Sequence, residues 1–188
     1  MATTLAPPIP QLTYADLDLI PNEREGDRHE LFDGELVVTA SPIPAHQKVT
    51  TNLTVAVGTH VRVGGLGELY TAPIDVKFAP GSVAVPDLVF VRRERLGIVG
   101  AKAIVGAPDL IVEVLSPSTR RRDLGRKKGM YERYGVPEYW VTSIDRRTVT
   151  VFVLRDRRYE ALPQGDEELR SLVLPDLELR WEDVFFGV

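Results

Sequence analysis

Residues 82–91 read SVAVPDLVFV and residues 109–116 read DLIVEVLS, and these two segments decide the fold. Both are rich in Val, Leu and Ile, as buried β-strands are. Each also contains a carboxylate, Asp87 or Glu113, at a place where burial would strip it of water. For either acid alone, a structural salt bridge is the stronger explanation. If the strands are neighbours, however, the two carboxylates converge, and paired carboxylates with water suit Mg²⁺.

The segments around these strands predict helices that flank a sheet. Asp33-Gly34 between two apolar runs predicts a two-residue β-hairpin, and residues 46–63 have the apolar spacing of an amphipathic helix. Other expected elements are a helix over 13–17 capped by Thr13, strands over 68–78, 138–144 and 148–154, a helix over about 121–134, and a polar hairpin over 159–171. We therefore expect one α/β or α+β domain over residues 12–188, with a central mixed β-sheet flanked by helices. Residues 1–11 are expected to be a disordered lead-in.

Composition excludes several classes of protein. The chain has 188 residues, of which 44% are hydrophobic, so it can bury a substantial core. It has no Cys, which excludes disulfides, thiolate metal sites, iron–sulfur clusters and a cysteine nucleophile. The sequence shows neither a signal peptide nor an apolar run long enough for a membrane span. We therefore expect a cytoplasmic protein with no membrane partner.

The distribution of charge is uneven along the chain. The net charge is −4 at pH 7, which excludes a globally basic surface for nucleic acid. Residues 92–133 nevertheless contain 11 basic and 5 acidic residues, so the remainder carries −10. The densest part, residues 120–128, suits phosphate recognition; a solvated helix face is the alternative. This basic stretch, residues 92–133, contains Glu113 and begins shortly after Asp87.

A family resemblance follows from these motifs. Pro86-Asp87 on one strand and Glu113 on a later one resemble the signature of the PD-(D/E)xK nuclease superfamily. Over residues 12–184 the chain resembles more specifically the Uma-type restriction endonuclease family. The segments that carry this likeness are HELFDGEL, SPIPAH, VPDLVFV, APDLIVEVLSPS, DLGRKKGMYERYGVPEYW and DRRTVTVF. The resemblance implies a restriction endonuclease-like core.

The resemblance also implies a set of catalytic residues, namely Asp87, Glu113 and Lys127. Leu115 occupies the position where superfamily members usually have their lysine. The Uma-type family has its lysine on the following helix, and Lys127 matches that position. It shares a helix face with Tyr131, four residues later. Implied metal ligands are Asp87, Glu113, the carbonyl of Val114, and Glu30, for which an ordinary edge-strand role is equally plausible.

Six further residues are predicted to contact nucleic acid. Arg120, Arg121, Arg122, Arg126 and Lys128 would grip the phosphate backbone, and His46 matches a family position at a helix start. For His46 a helix-capping or core role is the stronger alternative. The implied cofactor is Mg²⁺, with Mn²⁺ as a possible substitute, and the implied partner is DNA, with a homodimer possible.

The sequence therefore predicts a metal-dependent phosphodiester hydrolase, specifically a DNA endonuclease. The alternative is a nuclease-fold protein that no longer cleaves and instead binds nucleic acid or protein, an idea that Leu115 supports. A small-molecule hydrolase lacks support, because the sequence has no Gly-rich phosphate loop and no Ser-His-Asp order. The target sequence, the choice between DNA and RNA, the choice between single and double strands, and the oligomeric state stay open.

Overall fold

The computed structural model describes residues 11–21, 27–116, 123–165 and 168–188, which form two mixed sheets flanked by helices. The predicted fold class is confirmed, with a second sheet that the sequence did not separate from the first. The predicted lead-in, apart from Gln11, lies outside the described residues, as do Arg120, Arg121 and Arg122. The elements are α1 (Tyr14–Leu17), β1 (Arg28–Phe32), β2 (Glu35–Thr39), α2 (Pro44–Gly64), β3 (Gly67–Thr71), β4 (Asp75–Ala79), β5 (Ser82–Ala84), β6 (Leu88–Arg92), a 3₁₀-helix (Arg93–Ile98), β7 (Ala103–Val105), β8 (Leu110–Leu115), a π-helix (Asp123–Lys127), α3 (Lys128–Tyr134), β9 (Glu138–Ser143), β10 (Thr148–Arg155), β11 (Arg158–Ala161) and α4 (Trp181–Val184).

The larger sheet has six strands in the order β11-β10-β9-β8-β6-β3. Its centre is β8, which runs parallel to β9 and antiparallel to β6. All six residues of β8 are buried, because helix α2 covers one face of the sheet while α3 and the second sheet cover the other. Burial on both faces explains why this strand is an almost unbroken apolar run in the sequence.

The smaller sheet has five strands in the order β2-β1-β5-β4-β7. The single strands predicted over 68–78 and 82–91 are wrong, since each divides into two strands that belong to different sheets. The divisions fall at Ala72-Pro73 and at Val85-Pro86-Asp87, where proline cannot donate a ladder hydrogen bond. Asp87 therefore lies in the chain between two strands rather than inside one.

Local signals placed the other early elements correctly. Thr13 and Asp16 form the expected capping box of α1, with Thr13 N–H donating to the Asp16 carboxylate at 2.8 Å. Asp33 and Gly34 turn the β1–β2 hairpin with φ values of 53° and 83°. Helix α2 ends at Gly65 in the left-handed conformation, with φ 59°.

The polar hairpin predicted over 159–171 is wrong. Residues 158–161 instead form β11, which pairs with β10 across a turn at Asp156 and Arg157. The chain beyond it leaves the sheet, and Glu168 forms an isolated bridge with Arg180. Strand β10 lies immediately upstream and is rich in apolar residues. Pairing with it buries more apolar surface than a hairpin formed within the polar segment would. Among the helices of the described residues, none has a stretch long and apolar enough to cross a bilayer.

A buried carboxylate fastens the C-terminal segment to the larger sheet. Glu138, at the start of β9, is fully buried. Its oxygens accept hydrogen bonds from Trp140 Nε1 and Ser171 Oγ at 2.6 Å each, and from the backbone N–H groups of Leu172 and Val173 at 2.7 and 3.2 Å. One side chain thus accepts from four donors, of which Trp140 Nε1 and the Val173 N–H are buried and the other two are partly buried.

Replacing Glu138 by Ala leaves those four donors without their acceptor. Because each orphaned buried donor costs about 1–3 kcal/mol, we expect the free energy of unfolding to fall by at least about 3 kcal/mol. Urea denaturation followed by Trp fluorescence measures the loss. The matched control is Glu160→Ala on the exposed strand β11, which should leave the unfolding midpoint almost unchanged. Similar midpoints for the two variants would contradict this role of Glu138.

Candidate active site

One cavity, with a volume of about 190 Å³, lies where the two sheets meet the start of α2. The side chains that line it come from both sheets, from α2 and from the π-helix. Those that matter chemically are Arg28, Glu30, His46, Asp87, Glu113 and Lys127. The cavity therefore gathers three acidic and two basic side chains, besides His46, from segments that are far apart in sequence.

A buried lysine joins a carboxylate of one sheet to a carboxylate of the other. Lys127 Nζ lies 2.8 Å from Glu113 Oε1 on β8 and 2.9 Å from Glu30 Oε1 on β1. The three residues are only 1–2% exposed. At such burial the attraction between these charges is much stronger than on the surface, and so is the cost of desolvating them.

Lys127 reaches Glu113 because it stands where the helix changes type. It is the last residue of the π-helix, and α3 begins at Lys128. One turn later on the same face, the Tyr131 hydroxyl donates to Glu113 Oε1 at 2.7 Å. Burial, and then the charge of Glu113, raise the pKa of the Tyr131 hydroxyl well above its usual range, so it stays a donor. Short π-segments of this kind are frequent at functional sites.

Asp87 is held by three donors. Its Oδ1 accepts from Arg28 Nη1 at 2.8 Å, and its Oδ2 accepts from His46 Nε2 at 3.1 Å and from the Val114 N–H at 2.8 Å. Burial alone would raise the pKa of the Asp87 carboxyl, but the hydrogen bonds and electrostatic attraction of His46 and then of Arg28 outweigh it and lower the pKa to about 2. Asp87 is therefore an ionised carboxylate at neutral pH.

The bond to Val114 also shows how the two acids converge. Val114 follows Glu113 on β8, and β6, which begins just after Asp87, pairs with β8 in the register Leu88↔Val112. The expectation that the two acid-bearing segments are neighbours is met. This pairing brings Asp87 close to Glu113, even though Asp87 itself lies just before the strand.

The cavity offers oxygen atoms to a cation. Three carboxylate side chains line it, from Glu30, Asp87 and Glu113, together with the basic side chains of Arg28 and Lys127. Carboxylate oxygens and a backbone carbonyl are the hard ligands that Mg²⁺ prefers. Among the residues that the structure describes, no three His, Asp or Glu side chains are grouped as the ligands of a metal centre are. A cation here would depend on one or two carboxylates, completed by water.

The residues expected to contact nucleic acid lie in different surroundings. His46 is buried against Asp87, which agrees with the core role weighed for it. Arg126 forms a two-bond ion pair with Glu35, at 2.7 and 3.1 Å, with its guanidinium above the Phe32 ring. The Lys128 ammonium lies 3.8 Å from the ring centre of Phe152. His46 thus belongs to the wall of the cavity, whereas Arg126 and Lys128 contact aromatic rings outside its lining.

Arg28 was missed from the sequence, although a signal for it was present. It stands two residues before Glu30, and alternate residues of a strand share a face. Once Glu30 is placed in the site, Arg28 must face the same cavity. Tyr131 had been placed on the helix face of Lys127 but had been given no role.

Comparisons with known proteins identify the family and the fold of the chain. The family model described as "Uma2: Putative restriction endonuclease" matches residues 13–182. A crystal structure from Anabaena variabilis, described as "a putative nuclease belonging to DUF820", has a TM-score of 0.75 to this chain. It is 18% identical in sequence, and the match covers 93% of this chain and 97% of that chain. No curated protein matches the chain in sequence. The family match confirms the resemblance, and the structural likeness confirms the fold.

Removing the Lys127 ammonium should leave two buried carboxylates facing each other. We expect Lys127→Met to lower the free energy of unfolding by about 3 kcal/mol, as the loss of one partner from a buried ion pair does. Lys102→Met is the matched control, because Lys102 pairs with Asp18 on the surface and is largely exposed. Urea denaturation of both variants in EDTA tests this, and equal midpoints would show that the buried bridge contributes nothing.

Proposed function

The chain belongs to the Uma2 family, and on that premise we propose that it is a metal-dependent endonuclease that hydrolyses phosphodiester bonds in DNA. The observation that carries the proposal is the Lys127 bridge, which joins Glu30 and Glu113 beside Asp87 in one cavity. In phosphodiester hydrolysis two acids can hold a metal ion, and a lysine can offset charge on the phosphate. Here the lysine comes from a helix rather than from the strand that carries Glu113.

The donor chemistry of the cavity fits Mg²⁺, with Mn²⁺ as a substitute. Asp87 and Glu113 would hold the ion, helped by the Val114 carbonyl and by Glu30. Mg²⁺ keeps several waters and takes only one or two protein carboxylates, so a two-acid site is sufficient for it. When bound, the ion supplies a water of lowered pKa and offsets charge on the phosphate.

The chain's own cations act on the substrate and on the acids. Lys127 presents an ammonium whose position is fixed by two carboxylates, so it can stabilise negative charge on the reacting phosphate without reorganisation. Arg28 holds Asp87 in place through its 2.8 Å ion pair. Tyr131 fixes the orientation of Glu113. The site is therefore rigid before any substrate arrives.

Binding along the substrate is assigned to the basic segment. Arg120, Arg121 and Arg122 are proposed to contact backbone phosphates next to the cleaved bond, and Arg126 and Lys128 to contact phosphates away from the cavity. Such contacts position a strand but specify no sequence. With one cavity of this kind per chain in the described residues, cutting both strands would need two copies, so a homodimer is proposed for double-strand cleavage.

A plasmid-nicking assay tests the proposal. Supercoiled and single-stranded DNA are incubated with the purified chain in Mg²⁺, in Mn²⁺ and in EDTA, beside Asp87→Asn and Lys127→Ala. We expect cleavage only with metal, and a rate reduced at least about a hundredfold in each variant, since each removes a group that stabilises the transition state. Circular dichroism checks that each variant is folded.

The surface pair Asp18–Lys102 supplies the controls, because Asp18→Asn and Lys102→Ala make the same chemical changes away from the cavity. Both controls should cleave as the wild type does. Cleavage that survives Asp87→Asn would overturn the proposed site. Salt-sensitive DNA binding by a wild type that never cleaves would instead favour the non-catalytic binding module.

A further inference from the structure

The proposed catalytic groups lie below the surface. Asp87, Glu113 and Lys127 are each about 2% exposed, and the cavity above them holds only about 190 Å³. A phosphate group with bound water fits such a volume, but a stacked double helix cannot enter it. A substrate strand must therefore bend its backbone down into the cavity to bring the phosphate to Lys127.

A ridge of four residues, 40–43, stands at the mouth of this cavity and lines it. Its last residue, Ile43, is 51% exposed although it is a large apolar side chain. Pro42 and Pro44 flank it, and Ile43 itself has the extended conformation of a helix N-cap, with φ −75° and ψ 160°. Because proline fixes φ, the backbone of the ridge is restricted, and Ile43 stays half exposed beside the cavity.

Two residues of the ridge, Ser41 and Pro42, also line a larger cleft beside the catalytic cavity. That cleft has a volume of about 730 Å³ and shares Arg28, Ser41, Pro42 and Val85 with the smaller cavity. Its lining includes three carboxylates, Asp18, Asp27 and Asp75, which repel a phosphate backbone. It also includes the Tyr14 ring and the Gln47 amide, groups that stack on a base or hydrogen-bond to its edge. The cleft has ample room for an unstacked nucleobase, and these two side chains can contact it.

We infer that Ile43 is a wedge that holds two neighbouring bases apart, so that the phosphate of that step enters the catalytic cavity and the adjoining base enters the larger cleft. The substrate class that follows is DNA whose stack is already open at the cleaved step, as in single strands, bulges and flaps. Apolar side chains inserted between bases are a known means of opening a stack. This inference rests on the proposed function and adds a substrate preference to it.

Cleavage rates on matched substrates test the preference. One sequence is presented as a single strand, as a duplex with a one-base bulge and as a fully paired duplex. Opening a fully paired step costs free energy, whereas the stack at a bulge is already open. We therefore expect the wild type to cleave the bulged substrate at least about tenfold faster than the duplex. Ile43→Ser should reduce the rate on the bulge about tenfold, whereas Ile43→Leu should retain it.

Val105→Ser is the control for loss of an exposed apolar side chain. Val105 is 55% exposed and lies on β7, at the edge of the five-stranded sheet opposite to β2. The Val105→Ser variant should cleave all three substrates as the wild type does. Equal rates on bulge and duplex, or an Ile43→Ser variant that behaves like Val105→Ser, would overturn the wedge.

A fluorescence measurement separates this inference from the proposed function. DNA with 2-aminopurine beside the bulge is bound to Asp87→Asn, which should not cleave, with and without Ile43→Ser. We expect the fluorescence to rise on binding, because the probe leaves the stack, and the rise to be lost when Ile43 is Ser. If that result is found but the wild type never cleaves, the wedge stands and the nuclease proposal fails. If the wild type cleaves without any rise, the wedge fails alone, and absence of DNA binding overturns the wedge as well.

Discussion

The contact on which the rest of the structure depends is the bridge from the Lys127 ammonium to Glu30 and Glu113. One acid belongs to each sheet, so a single cation joins the two layers at the point where the cavity opens. Charges this deeply buried are tolerated only when they are paired and hydrogen-bonded, and the Tyr131 hydroxyl and the Val85 N–H supply those bonds. The same arrangement that makes burial tolerable keeps each group in one orientation.

Two prolines determine how the sheets divide. Pro73 and Pro86 fall where a strand leaves one sheet and its continuation joins the other, so the chain between β5 and β6 is free to carry Asp87. In a strand, the Asp87 carboxylate would have had to compete with apolar neighbours for space. In the connecting segment it meets Arg28 from β1, His46 from α2 and the Val114 N–H from β8. The interruption of the strand is thus what allows three elements to contact one acid.

Sequence patterns predicted those features of the fold and the site that depend on near neighbours in the chain. The Asp33-Gly34 turn, the α2 helix and the shared face of Lys127 and Tyr131 all follow from short spacings. The division of two strands between sheets could not be predicted in that way, because apolar runs look alike whichever sheet they join. The four donors gathered by Glu138 were equally hidden, since Ser171 and its neighbours are remote in sequence.

The parallel pairing of β8 and β9 has a consequence for when the site comes into existence. Parallel neighbours require the chain to cross back over the sheet, and Lys127 and Tyr131 lie on that crossover. If the lysine were on β8 beside Glu113, that one strand would carry both groups. Here the acid and the ammonium meet only after the crossover helix has docked. A nascent or partly unfolded chain therefore holds the acids without the lysine, and chemical competence becomes a property of the finished tertiary fold.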